Sequence, residues 1–142
     1  MGTTKMRLKA ACVVCSSLLL ALSACGGGAE ELKAGNVRIL VSASSGDQGG
    51  ADVGVGGTVQ LVGDCLGIGN AVAFWPKGTK VVSEDPLTID VPGEGEISVG
   101  DTVQGAGGSH STASGSDIDS SKPDLPIPSS CPSKSWVDFR PE

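Results

Sequence analysis

Chemistry in this chain has to come from one histidine, five cysteines and 16 carboxylates. His110 sits in Gly108-Ser109-His110-Ser111, with Asp117 nearby in sequence. Serine, histidine and aspartate are the residue types of a hydrolytic triad, where the imidazole takes the nucleophile's proton and the carboxylate orients the ring. A triad needs a rigid support, and this glycine- and serine-rich stretch promises none. No G-x-S-x-G elbow occurs either, so His110 is expected on a solvated loop. Asp117-Ile118-Asp119-Ser120-Ser121 offers oxygens at alternate positions, as calcium loops do. The sixth position of such a loop would be Lys122 instead of glycine, and the twelfth Pro128 instead of a bidentate glutamate. Calcium binding is not expected. Glu94 and Glu96 read as a solvated turn, because catalytic carboxylates must be held rigidly at a set separation. Gly54, Gly56, Gly57, Gly67, Gly69, Gly105, Gly107 and Gly108 do not spell G-x-G-x-x-G before a helix, so no phosphate cradle is indicated. They suit turns, bulges and close strand crossings. No catalytic, metal or cofactor residue is assigned.

The cysteines are informative through their position. Lys5, Arg7 and Lys9 open the chain, and Ala10 to Leu22 is an uncharged, mostly apolar run. A basic start, an apolar stretch of this length and small residues after it describe an export signal. A membrane-spanning helix needs about 20 apolar residues, and Gly26-Gly27-Gly28 stops this run short. Leu22-Ser23-Ala24-Cys25 then resembles a lipobox, the four-residue signature of bacterial lipoproteins. The resemblance covers about the first 25 residues. It implies a diacylglycerol on the Cys25 thiol, cleavage between Ala24 and Cys25, and acylation of the new amino group. Two or three acyl chains anchor stably where one does not. The alternative is an ordinary secretory signal that carries a cysteine near its end.

Cys12 and Cys15 form a C-x-x-C that would suggest redox or metal chemistry in a cytosolic domain. Here they lie in the apolar run and leave with the signal. Cys25 takes the lipid, so Cys65 and Cys131 remain, too few with one histidine for a zinc site. An oxidising extracytoplasmic compartment favours a Cys65–Cys131 disulfide; two free buried thiols are the alternative. Removing Lys5, Arg7 and Lys9 leaves 7 of the 10 basic residues against 16 acidic ones, a formal net charge of −9. That charge repels phosphate backbones, and there is no basic stripe with interleaved aromatics, so nucleic acid is not an expected partner. It also keeps the domain off anionic lipid headgroups, so the lipid rather than the protein surface is expected to hold it at the membrane.

The elements that must position these residues read as β throughout. Residues 1–24 are the signal peptide, 25–52 a lipidated N-terminus and flexible tether, and 53–142 a small β domain. Cys25 to Asn36 has tether composition, and Val37 to Ala43 has strand composition without a clear place in the domain. Gly57 to Val62, Ala71 to Trp75, Thr79 to Val82 and Leu87 to Val91 are strands separated by Gly, Pro and Asp turns. Ile97, Val99 and Val103 continue the pattern. In the last strand Trp136, Asp138 and Arg140 share one face, Val137 and Phe139 the other. Gly105 to Ser130 reads as a long Gly/Ser/Pro loop, pinned back by Cys131. No apolar period of 3.6 residues occurs in the mature region. The fold expected is all-β, a small antiparallel barrel or sandwich of five to six strands, preceded by a signal-peptide helix. The order of turns resembles OB-like small barrels.

Phe74, Trp75, Trp136 and Phe139 are the four aromatics that must fill the core. Exposed, Trp75 or Trp136 would make a binding face; packing is the favoured use given how few large side chains there are. The Gly, Ala and Val bias gives the mature chain a general similarity to small, uncharacterised actinobacterial β-domain lipoproteins. The expected role is a non-catalytic binding or interaction module on the extracytoplasmic face of the cell membrane. It would be held there by lipid on Cys25 and turned toward a protein or glycan of the envelope. The alternative is a cell-envelope hydrolase whose residues the sequence does not identify. A pocket gathering His110, an acid and a serine would favour the enzyme; an exposed apolar patch at a tryptophan would favour binding.

Overall fold

The computed structural model describes residues 28–43, 53–111, 123, 125–132 and 134–142. The signal peptide, Cys12, Cys15, Cys25 and the Asp117–Ser121 run lie outside them. The described chain is all-β, with no helix. Its strands are β1 (Glu30–Ala34), β2 (Val37–Val41), β3 (Val53–Val62), β4 (Cys65–Ile68), β5 (Ala71–Trp75), β6 (Lys80–Glu84), β7 (Leu87–Val91), β8 (Gly95–Ser98), β9 (Thr102–Ser111) and β10 (Ser135–Pro141).

Seven strands form one sheet in the order β1-β2-β4-β3-β9-β10-β5, and β5 also pairs with β2 and β4. Ladder pairing therefore runs from β4 through β3, β9, β10 and β5 back to β4. The three remaining strands make an antiparallel meander, β6-β7-β8. Ten strands replace the five to six expected. The surplus includes β1 (Glu30–Ala34), whose exposed Glu30, Glu31 and Lys33 are charged, and the four-residue β4 (Cys65–Ile68). The sheet is also not purely antiparallel: β10–β5, β2–β4 and β2–β5 run parallel. Turn signals reveal neighbours in sequence, which are antiparallel, and are silent about these distant pairings.

Two segments differ from the sequence expectation. Residues 30–41 hold two strands rather than tether. Glu30–Ala34 pairs with Val37–Val41, from Glu30↔Val41 to Ala34↔Val37. An edge strand needs apolar side chains on one face only: Leu32 and Ala34 pack on the core, while Glu31 and Lys33 face outward and give the segment its polar composition. Likewise, Gly105 to Ser111 is not loop but the second half of β9, paired with β10 from Pro141↔Gly105 to Ser135↔Ser111.

Alternation builds two cores. The larger includes Ile39, Val41, Val59, Leu66, Ala73, Trp75, Val137 and Phe139, and Leu87, Ile89, Val91 and Ile97 of the meander pack into it. The smaller holds Leu40, Cys65, Val72, Phe74, Cys131 and Trp136, with Val62, Leu125 and Ile127 against it. Successive residues of β2, β5 and β10 thus enter different cores. The Cys65–Cys131 disulfide ties β4 to the segment before β10. The main-chain N–H groups of Asp64 and Cys131 donate to the carbonyls of Ser130 and Pro128. Residues 125–132 so form a strap over the smaller core.

Candidate functional site

β9 and β10 approach closely because β9 is rich in glycine where they pair. A Cβ on Gly105 would collide with the Arg140 carbonyl, and one on Gly107 with the carbonyl of Asp138. Gly107 also has φ +152°, a backbone conformation side chains rarely adopt. Space beside Gly108 is taken by a side chain: its Cβ would lie 2.6 Å from His110 Nε2. The glycines that made this stretch look flexible therefore fit it to its neighbour.

His110 is placed on β9, directly opposite Trp136. Its ring stacks on the indole, centroids 3.8 Å apart and planes 15° from parallel. Nε2 lies 3.3 Å from Asp138 Oδ2. The imidazole is mostly buried, with 22% of the side chain exposed. This corrects the solvated-loop expectation. A loop histidine has no fixed partner, whereas a strand gives His110 a cross-strand aromatic and a carboxylate one step further along the same face. The acid beside it is Asp138; Asp117 lies outside the described residues. Sequence proximity pointed to Asp117 alone; the alternation already noted for Trp136 and Asp138 was the usable signal for Asp138, once β9 is recognised as their partner.

An imidazole beside a carboxylate is the base-and-orienter half of a triad, but here the indole of Trp136 covers one ring face. Trp136 is 5% exposed, with Phe74 edge-on at 5.3 Å. Trp75 is fully buried, edge-on to Phe139 at 5.5 Å. Both tryptophans are core residues, and neither offers an aromatic binding face. Its burial leaves Trp75 Nε1 without a hydrogen-bond partner among the described residues, a cost for a donor removed from water.

A concavity opens elsewhere. A groove of about 370 Å³ lies between the edge strand β1 and the start of β6, lined by Glu30, Leu32, Lys33, Thr79, Lys80 and Val81. Leu32 and Val81 rest against the larger core and make its apolar floor. Glu30, Lys33 and Lys80 are exposed and make a charged rim. Thr79 is buried, and its hydroxyl donates to the Pro76 carbonyl at 2.7 Å, which holds the turn entering β6. Neither His110 nor Asp138 lines the groove. Composition gave no hint of it, because it is formed by two strand edges distant in sequence.

Among the described residues no group of three or more His, Cys, Asp or Glu side chains is placed to hold a metal ion. None of them forms a helix long and apolar enough to cross a membrane. No protein-family model, curated protein or solved structure matches the chain.

Proposed function

We propose that this chain is an exported lipoprotein whose mature domain is a non-catalytic binding module, held by lipid on Cys25 at the extracytoplasmic face of the cell membrane. Leu22-Ser23-Ala24-Cys25 directly after the apolar run carries the anchoring part. The Cys65–Cys131 disulfide suits an oxidising compartment. The ring of strand pairings supports a small OB-like barrel as the finer description of the fold. Such architecture leaves activity open, since one fold hosts many. Binding is favoured over catalysis because the groove gathers an apolar floor and a charged rim, while the histidine–aspartate pair lies outside it.

Metabolic labelling with a fatty acid tests the anchor. Label is expected on the wild-type protein and lost from Cys25→Ser, which should leave the membrane fraction. A Cys25→Ser protein of unchanged mass and unchanged membrane attachment would refute the reading. The His110–Asp138 pair is the one observation on the side of an envelope hydrolase. Hydrolysis of ester or glycan substrates that disappears in both His110→Ala and Asp138→Asn would decide for it.

A further inference from the structure

We propose that the groove between β1 and β6 is a headgroup-docking surface: it lies on the membrane that holds the lipid of Cys25 and takes zwitterionic amino-phosphate headgroups of that leaflet. The proposal rests on the anchoring reading and adds an orientation to it. Glu30, the first residue of β1, is only five positions after Cys25. Fully extended, that length of chain spans at most about 17 Å. Glu30 lines the groove itself, so the groove cannot be far from the bilayer.

Register brings the neighbouring turn to the same end. Glu30 pairs with Val41, Val41 pairs with Trp75, and the main-chain N–H of Ser42 donates to the Trp75 carbonyl. The chain then turns through Pro76, Lys77 and Gly78 into Thr79 and Lys80. Lys33, Lys77 and Lys80 are three of the seven basic residues left after cleavage, a concentration of cations near the anchor in an acidic molecule. They do not make a purely cationic face: Glu30 is on the rim, and Asp90 sits across the ladder from Lys80. A rim with both signs over the apolar floor of Leu32 and Val81 matches a headgroup carrying phosphate and ammonium together. Phosphate would meet Lys33 and Lys80, ammonium would meet Glu30, and the glycerol region would meet the floor. A surface composed only of anionic lipid matches less well, because Glu30 and Asp90 oppose it.

The test uses the lipidated protein, purified from membranes and placed in phosphatidylethanolamine-containing nanodiscs. Intact mass establishes the lipid on Cys25; amine-reactive labelling reads the orientation. Lys134 is the reference, because it precedes Ser135 at the end of β10 remote from Trp75. Labelling of Lys33, Lys77 and Lys80 should fall at least fivefold relative to the unlipidated protein, with Lys134 changed less than twofold. In the lipidated K33E/K80E variant, protection of Lys77 should be lost. A mass lacking the lipid would overturn anchor and docking together. Confirmed lipid with equal labelling of all four lysines would overturn the docking alone, as would retained Lys77 protection in the double variant. Equal protection on pure phosphatidylglycerol discs would overturn the preference for a zwitterionic headgroup.

Discussion

His110 and Trp136 lie face to face across the β9–β10 ladder, 3.8 Å between ring centroids. The imidazole lies over one face of an indole that Phe74 meets edge-on. The only histidine of the chain is therefore part of the wall of the smaller core.

Removing the imidazole should act on stability. His110→Ala is expected to cost about 1 kcal/mol, the size of one aromatic pair contact, and to shift Trp136 emission to the red as water reaches its face. His110→Phe keeps the stack and should recover most of the loss. Urea denaturation followed by fluorescence measures both. Equal losses for Ala and Phe would place the effect in the Asp138 contact instead.

The disulfide closes a loop of 66 residues in sequence separation. Loop-closure entropy gives about 4 kcal/mol of stabilisation for that length. Denaturant titration with and without a strong dithiol reductant should show a loss of that order, and the double Cys65→Ser, Cys131→Ser variant should match the reduced protein. Alkylation of the folded, unreduced mature domain should find neither thiol; two modified cysteines there would contradict the bridge.

Glycines on the two paired strands β3 and β9 should respond differently to one methyl group. Gly107→Ala places a Cβ against the Asp138 carbonyl at a positive φ and should cost about 1–3 kcal/mol. Gly54→Ala meets nothing within 4 Å and should stay within about 1 kcal/mol of the parent. Comparison of thermal midpoints distinguishes close fit from flexibility as the reason for glycine at 107.

Trp75 carries a buried donor without a partner. Trp75→Phe removes that donor while keeping most of the apolar ring, so the relief of about 1–3 kcal/mol offsets lost packing and the variant should be near neutral. Trp75→Ala should cost about 3–5 kcal/mol. A Phe variant as damaged as the Ala one would mean that the indole N–H is paired after all.

What could be read in advance follows from where each signal resides. A continuous apolar run marked β5 and alternation marked β7 to the residue, and alternation separated Val137 and Phe139 from Trp136 correctly. Pairing of Cys65 with Cys131 followed from compartment and elimination. β1 was hidden because an edge strand needs few apolar residues, and Glu30, Glu31 and Lys33 look like a linker. The far half of β9 was hidden because glycine has no side chain to show a pattern; the reason for glycine there sits on β10, about 30 positions later. The His110–Asp138 contact and the groove share that cause, since each joins residues remote in sequence.

The double-sided burial of β5 carries a further consequence. Val72 and Phe74 enter one core while Ala73 and Trp75 enter the other. Sliding such a strand by one position exchanges one apolar set for another, so the usual penalty against misalignment, exposure of oily side chains to water, is missing. Shape has to supply it. The indole of Trp75 cannot trade places with the methyl of Ala73, and the cross-link fixed at Cys65 denies the neighbouring β4 any sliding of its own. Correct alignment is thus enforced by bulk and a covalent pin where polarity has nothing to say.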